Sequence, residues 1–419
     1  MIKRILEIIK NGDDKSQQKL LYYIALINVA IILVSLRITF YYDSGTYYSA
    51  GEVFWNGGID EIRTPIYPLI CALASRISGY SVWIIAAMQM VLYFVSIHYL
   101  YKLTAFFISK KSLQFACTAL YAALPCFSAY IVAILTESFA LSLTIIFSYH
   151  TLLYIKSYDC KASIISNILL AIMLMLRPSF IFLLPLLVVL QIILILKRKK
   201  FIVNVIGMCV VLGIYFSYSY VYKQQHGIFT TSSVGYVNQI MILNHVGLLD
   251  YSEIDKTWFD NEEIKLGIVD ICKSIPPKEK ERIVKYSVQK NLKAYIFETF
   301  RKFIHLGNEP CFYVYATSRI EALGGLMIRS TMSLSPTFMM VYVLLLIYAL
   351  FISKTIKKGK IPLLNIYIWC FITGVFVTAI IGAPGDYPRL VFPCTPFILI
   401  SIFQLLDKVK IIKQNWKLV

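Results

Sequence analysis

The chain has 419 residues, of which 58% are hydrophobic and only 15% are charged, and its mean hydropathy is +0.69. This composition excludes a soluble globular domain and a disordered chain, and it predicts a protein that crosses the membrane several times. The formal net charge of +18 suggests nucleic-acid binding at first, but the lysines and arginines lie in short clusters between apolar runs. Such clusters are typical of membrane topology, so no nucleic-acid partner is expected.

The first membrane helix is predicted in residues 20–40, after a polar and basic stretch at residues 1–19. This run is longer than the core of a signal peptide and lacks a small-x-small cleavage site, so we expect it to be retained. The next apolar stretch, residues 66–77, is too short to cross about 30 Å of hydrocarbon, and a re-entrant or interfacial helix is expected there. Further spans are predicted at about residues 80–101, 113–131, 134–155, 163–177, 179–196, 201–221, 334–353, 361–382 and 389–407. The predicted fold class is therefore an all-α polytopic membrane protein with about ten transmembrane helices.

The distribution of positive charge predicts how the chain is threaded. More than half of the 41 lysines and arginines fall in alternate connections, and the other short connections carry only isolated arginines. By the positive-inside rule both termini are predicted in the cytoplasm, and we expect a multi-pass protein of a bacterial inner membrane. The same threading places Asp43, Glu137, Arg177 and Arg389 on the extracytoplasmic face.

Three regions follow from this threading. Residues 1–221 are predicted to form an N-terminal transmembrane module with a polar first outer loop at residues 41–68. Residues 222–333 form an extracytoplasmic segment, and residues 334–419 form the C-terminal transmembrane helices. Apolar residues recur at helical spacing from Ile283 to Phe303, which predicts an amphipathic helix. It either lies on the outer membrane surface, caps a cavity, or packs only within its own small domain.

Cys272 and Cys311 are the cysteines of that polar segment, and whether they form a disulfide is left open.

Asp43 is the first candidate for chemistry because it follows the first helix in a loop rich in tyrosine. A carboxylate half excluded from water can accept a proton from a sugar or lipid hydroxyl, or bind an amine of the acceptor. The alternative is an interfacial loop in which the aspartate caps a helix and the tyrosines belong to the aromatic belt.

Arg63 precedes Thr64-Pro65-Ile66-Tyr67-Pro68, at the expected start of the short helix. A guanidinium at a helix start suits a phosphate or a carboxylate. The alternative is an ion pair with Asp60 or Glu61 in the same loop.

Glu137, Arg177 and Arg389 lie at ends of predicted spans on the outer side. A lone carboxylate such as Glu137 is costly there unless it is paired, solvated or functional, although capping of the helix by Thr136 with support from the helix dipole is the alternative. Each arginine is consistent with an interfacial side chain that reaches for water, whereas two arginines on one face favour anion binding.

The same residues carry a resemblance to a known family. The aspartate after the first helix, Arg-x-Pro-x-Tyr-Pro at residues 63–68, Leu-Thr-Glu at 135–137, Leu-Arg-Pro at 176–178 and Asp-Tyr-x-Arg at 386–389 occur in this order. This set resembles the family 39-like membrane glycosyltransferases of the C-type (GT-C) superfamily, which includes protein O-mannosyltransferases and lipid A aminoarabinose transferases.

The resemblance implies a sugar donor linked to polyprenyl phosphate and transfer on the outer leaflet with inversion at the anomeric carbon. It implies a lipid-linked glycan, a lipid or a protein as acceptor, with membrane lipids as the surroundings. Carried over to this sequence, it makes Asp43 the catalytic base. The donor-phosphate or substrate-binding residues would be Arg63, Tyr67, Glu137, Arg177, Tyr387 and Arg389. No cofactor is predicted, and because Ser44 stands where relatives have a second acid, use of a divalent metal is left open.

Two other functions remain alternatives. A polysaccharide polymerase or ligase acting on polyprenyl-pyrophosphate glycans would also need arginines on the outer face. A lipid or glycan flippase would exchange leaflets without forming a glycosidic bond. Ion-coupled transport is disfavoured because the deep positions of the predicted spans offer few ionisable groups.

Overall fold

The computed structural model describes residues 7–9, 12–196, 200–250, 272, 275–305, 318–326, 363–382 and 390–416. Within these ranges the chain is helical with irregular connections, and its extended pairings are two isolated β-bridges. The predicted all-α membrane fold is therefore confirmed. The helices are α1 (Asp14–Ser35), α2 (Tyr42–Trp55), α3 (Ile66–Ile77), α4 (Ser81–Thr104), α5 (Lys111–Ala123), α6 (Glu137–Ser157), α7 (Cys160–Leu176), α8 (Leu183–Leu196), α9 (Phe201–His226), α10 (Val234–His245), α11 (Pro277–Lys290), α12 (Leu292–His305), α13 (Leu363–Gly382) and α14 (Thr395–Trp416).

Five helical stretches in the described part of the chain are long and apolar enough to cross a membrane. They are α1, α4, α6, α9 and the stretch Pro178–Leu196, in which a 3-10 turn runs into α8. Helix α5 and the following Pro125–Val132 pass the same test as a pair bent by 61°, and α3, α7, α13 and the start of α14 are shorter apolar helices. The number of about ten spans and the cytoplasmic location of the termini stay predictions. The predicted span at 334–353 lies outside the described residues.

The first outer loop was predicted as a loop at 41–68, but most of it is helical. Helix α2 begins after Tyr41, whose backbone N–H donates to Ser44 Oγ at 2.8 Å, and Asp43 lies in the first turn. Helix α2 then packs so closely on α3 that a Cβ at Gly51 would lie 2.4 Å from the carbonyl oxygen of Pro68. The sequence obscured this helix because it has no apolar stripe, whereas capping and close packing hold it in the folded protein.

Polar side chains fix an irregular stretch that precedes α6. Gln89 of α4 is fully buried, and its Nε2 donates to the carbonyl oxygens of Tyr130, Ile131 and Ala133 at 3.3, 2.8 and 3.0 Å. Ser44 Oγ donates to the carbonyl oxygen of Ile134 at 2.8 Å. The start of α2 and the start of α6 are therefore held beside each other, which brings Asp43 and Glu137 to one region.

The amphipathic pattern predicted in residues 283–303 is divided into two helices at Asn291. In α11, Ile283 and Val284 are buried in a small core that includes Ile240 and Leu243 of α10, as the own-domain alternative predicted. Helix α12 instead leaves a row of large apolar side chains more than half exposed. These are Leu292, Ile296, Phe297 and Phe300.

Cys272 belongs to the small core of α10 and α11, where burial raises the pKa of its thiol to about 11. Its suggested disulfide partner, Cys311, lies outside the described residues.

Candidate active site

A cavity of about 470 Å³ lies where α2, the turn before α3, the end of α7, the start of α10 and the end of α13 meet. Its size is within the range of pockets that hold small molecules. The cavity brings together Asp43, Arg63 and Arg177, which are far apart in the sequence. Other polar side chains in its wall are Tyr47, Thr64, Ser179, Asn238 and Thr378.

Asp43 and Arg63 form an ion pair in the cavity wall, with 2.8 Å between Asp43 Oδ1 and Arg63 Nη2. The guanidinium also donates through Nε to Thr46 Oγ1 at 2.9 Å and through Nη1 to Tyr47 OH at 3.3 Å. It lies 4.3 Å from the centre of the Tyr47 ring, in the geometry of a cation–π contact. All three nitrogens of the Arg63 guanidinium are thus bonded, and the side chain is well placed to orient the Asp43 carboxylate.

The alternative partners proposed for Arg63 are engaged elsewhere. Asp60 Oδ1 accepts hydrogen bonds from the backbone N–H groups of Ile62 and Arg63 at 2.9 and 2.6 Å, which closes the turn. Glu61 forms an ion pair with Lys280 of α11. The alternative, an ion pair of Arg63 with Asp60 or Glu61, is therefore wrong, and the guanidinium instead pairs with Asp43, 20 residues away.

Glu137 and Arg177 meet beside the cavity, with 3.5 Å between Glu137 Oε1 and Arg177 Nη2. Glu137 is fully buried and Arg177 is only 8% exposed. Arg177 Nη1 has no hydrogen-bond partner among the described residues. A buried guanidinium with an N–H₂ group still to satisfy, in the wall of a cavity, is a ready ligand for an anion.

Thr136 occupies the N-cap position of α6, but its side chain makes no capping hydrogen bond. The alternative of helix capping by this hydroxyl is therefore wrong. Glu137 lies in the first turn, where the helix dipole favours a negative charge, and Arg177 supplies an opposite charge. Glu137 does not line the cavity, but it contacts Arg177, which does.

Tyr67 does not line the cavity either. It is fully buried, with its ring centre 4.9 Å from that of Tyr47 and 5.5 Å from that of Phe139. It supports the ring over which Arg63 lies. The two remaining predicted ligands, Tyr387 and Arg389, lie outside the described residues.

Sequence reasoning missed the part of the wall that comes from α10. Asn238 lines the cavity and donates through Nδ2 to the carbonyl oxygen of Gly382, at the end of α13, at 2.6 Å. Thr46, Ser179 and Thr378 were missed as well. These residues are small and polar and stand in no motif, so only the folded arrangement identifies them.

The described residues contain no group of three His, Cys, Asp or Glu side chains placed to hold a metal ion.

Residues 62–231 match the family model of dolichyl-phosphate-mannose-protein mannosyltransferases. These residues belong to the GT-C superfamily. The resemblance predicted from the motifs is thereby confirmed for these residues, and the match supports a membrane glycosyltransferase of the GT-C type. The match covers less than half of the chain and includes Arg63, Glu137 and Arg177, whereas Asp43 lies before it and Tyr387 and Arg389 lie after it. No curated protein matches the chain significantly.

Proposed function

We propose that this chain is a GT-C glycosyltransferase that moves a sugar from a polyprenyl-phosphate donor to a hydroxyl acceptor on the extracytoplasmic face, with inversion at the anomeric carbon. The observation that carries the proposal is the placement of a carboxylate, Asp43, and a buried, incompletely satisfied guanidinium, Arg177, in the wall of one cavity. Transfer to a hydroxyl requires a proton acceptor beside the acceptor hydroxyl and a positive charge beside the leaving phosphate of the donor.

Asp43 serves as the base in this proposal. The acceptor hydroxyl gives its proton to the Asp43 carboxylate while its oxygen forms a bond to the anomeric carbon. Arg63 binds Asp43 Oδ1 and fixes the orientation of the carboxylate, so it supports the base rather than binding the donor phosphate as first predicted. A positioned base of this kind typically contributes about 10²-fold to 10⁴-fold to the rate.

Arg177 serves the leaving group. As the bond between the anomeric carbon and the phosphate oxygen breaks, its electron pair stays with the polyprenyl phosphate, and the guanidinium stabilises that negative charge. Glu137 holds one nitrogen of the fork, Nη2, and leaves Nη1 for the phosphate. Apolar residues of the wall, such as Ile181 and Ile381, suit the first units of the lipid chain.

The acceptor side of the cavity is assigned to α10. Helix α10 contributes Gly235, Asn238 and Met241 to the wall, and space beside Gly235 is open because a Cβ there would meet nothing within 4 Å. A mixture of polar and apolar groups suits a hydroxyl-bearing lipid, a lipid-linked glycan or a protein side chain.

The test is a transfer reaction with the purified full chain and synthetic polyprenyl-phosphate monosaccharides. An alkyl glycoside, a lipid extract and a serine-containing peptide serve as acceptors, and Asp43→Asn serves as the inactive control. We expect donor consumption, release of polyprenyl phosphate and a new glycosidic bond identified by mass spectrometry. A parallel reaction with EDTA tests whether a divalent metal is needed.

Two results would contradict the proposal. Use of preassembled oligosaccharide diphosphates, with no reaction of the monosaccharide donors, would identify a polymerase or ligase. Exchange of labelled lipid between leaflets, without any new glycosidic bond, would identify a flippase.

A further inference from the structure

The turn that carries Arg63 is held by residues of the extracytoplasmic side. Residues 59–63 lie in the connection from α2 to α3. Their backbone groups form hydrogen bonds with residues of α9 and of the turn before α10. Tyr222 OH donates to the carbonyl oxygen of Glu61 at 2.7 Å, and the backbone N–H of Ser233 donates to the same oxygen at 2.9 Å. His226 Nε2 lies 3.0 Å from the carbonyl oxygen of Ile59, whose backbone N–H donates to Gln225 at 3.0 Å.

A buried ion pair adds a third element to this junction. Lys280, in the first turn of α11, is fully buried, and its Nζ bonds to Glu61 Oε1. Ser233 Oγ donates to the same carboxylate oxygen at 2.9 Å. A fully buried ammonium is costly unless a counter-ion compensates it, so the position of Glu61 is coupled to the docking of α11.

The junction lies between two walls of the cavity. Ile62, Arg63 and Thr64 follow Glu61 directly and line one wall. Val234 and Gly235 follow Ser233 directly and line the other. Glu61 links the two walls. Its carboxylate accepts a hydrogen bond from Ser233, and its backbone leads on to Arg63. The ion pair between Lys280 and Glu61 is therefore expected to help fix the distance between the two walls.

We propose that Lys280 is a positioning residue that acts through Glu61: it fixes the 59–63 turn against α10, and thereby sets Arg63 and the Asp43 base relative to the acceptor side of the cavity. This inference rests on the function proposed above. Lys280 itself does not line the cavity. Its effect is expected in the rate of transfer, because small displacements of a reacting group reduce the rate strongly.

The same helix offers a matched control. Lys285 of α11 forms an ion pair with Glu281, but the Lys285 side chain is 65% exposed. Lys280→Met and Lys285→Met are thus the same substitution on one helix. The first removes a buried ion pair, and the second removes an exposed one. Lys280→Met alone leaves a carboxylate without its counter-ion, so the double variant Glu61→Gln with Lys280→Met is included to remove both charges.

Two measurements test the role. Hydrogen–deuterium exchange of the peptide that contains residues 56–66 reports the order of the turn without requiring activity. Steady-state transfer reports kcat and KM. For the double variant we expect a thermal stability close to that of the unmodified protein, faster exchange in this peptide, and a kcat lowered by roughly tenfold to 100-fold with little change in donor KM. Lys285→Met should change none of these.

The inference would be overturned if the double variant showed unchanged exchange in residues 56–66. It would also be overturned if the loss of kcat were proportional to the loss of thermal stability in all variants, because a purely structural role predicts that relation. An unmodified protein that transfers no sugar from any donor would instead refute the proposed function, while the exchange measurement would still decide the role of Lys280.

Discussion

Arg177 Nη2 lies 3.5 Å from Glu137 Oε1, so the C-cap residue of α7 contacts the first residue of α6. Glu137 is fully buried, and a carboxylate in such a place requires a compensating charge. The contact engages one nitrogen of the guanidinium fork. We therefore expect Glu137 to hold Arg177 in the orientation in which it would bind the donor phosphate of the proposed reaction.

Arg177→Lys tests whether the fork is required. Lysine keeps the charge beside Glu137, but a single ammonium cannot hold the carboxylate and bind the donor phosphate in the same fixed geometry. We expect a stable protein whose donor KM rises by roughly tenfold to 100-fold, the size of one or two charged hydrogen bonds. Donor titrations of the transfer rate measure this change.

Arg76→Lys is the control for that substitution. Arg76 binds Glu52 through both nitrogens at 2.9 and 2.8 Å, but it lies on the protein surface outside the cavity. We expect no change in donor KM. An Arg177→Lys protein with the donor KM of the unmodified enzyme would rule out Arg177 as the phosphate ligand.

Asp43→Asn tests the base. The amide keeps the size of the side chain and can still accept from Arg63, but it cannot take a proton from the acceptor hydroxyl. We expect transfer to fall by about 10²-fold to 10⁴-fold, with expression and membrane insertion unchanged. Glu52→Gln removes a carboxylate from the exposed face of the same helix and should leave the rate intact. Comparable rates for the two variants would refute the assignment.

The sequence could predict the apolar helices and the family, because hydropathy and the spacing of the motifs are local properties. It also predicted that Asp43 and Arg177 lie on one face of the membrane. That placement stays a prediction, whereas the structure brings both residues to one cavity. It could not predict the partner of Arg63, since two acids stand beside it in the chain and the fold turns α2 so that Asp43 lies closer. The pairing of Glu61 with Lys280 joins residues 219 positions apart, and no local pattern reports such a contact.

Helix α12 is expected to lie in the outer interface of the membrane. Tyr295 OH donates to Gln239 Oε1 at 2.8 Å, and Gln239 Nε2 donates to the carbonyl oxygen of Ile381, so α12 lies beside the end of α13. The exposed Phe297 and Phe300 would then meet the lipid beside the partly exposed Ile381. Of the amphipathic pattern from Ile283 to Phe303, only the second half, α12, is therefore expected at the membrane surface.

Tryptophan substitution in vesicles with brominated lipid chains measures this placement. Phe297→Trp should add fluorescence that the brominated lipids quench, relative to the unmodified protein with its five tryptophans. Lys285→Trp, on the charged and exposed face of α11, should add fluorescence that is not quenched. Equal quenching at the two positions would contradict an interfacial α12.

Gly51 and Gly45 give a test of how α2 is held in place. A Cβ at Gly51 would lie 2.4 Å from the carbonyl oxygen of Pro68 and 3.0 Å from the Cβ of Ala72, so Gly51→Ala must push α2 away from α3. The nearest atom to a Cβ at Gly45 is a ring carbon of Phe40 at 3.8 Å, an ordinary contact. The same substitution should therefore destabilise the protein at one position and be tolerated at the other.

We expect Gly51→Ala to cost about 1–3 kcal/mol, the usual range for overpacking. Gly45→Ala should stabilise helix α2 by roughly 0.5–1 kcal/mol, because alanine loses less backbone entropy than glycine. The shift of the thermal unfolding midpoint, followed by circular dichroism, gives the sign of both effects. Because α2 carries Asp43 and the turn before α3 carries Arg63, the displaced helix should also lower kcat in the Gly51→Ala protein. Equal midpoints for the two variants would show that α2 is not fixed by its contact with α3, and the alignment of Asp43 with Arg63 would then have to depend on the ion pair itself.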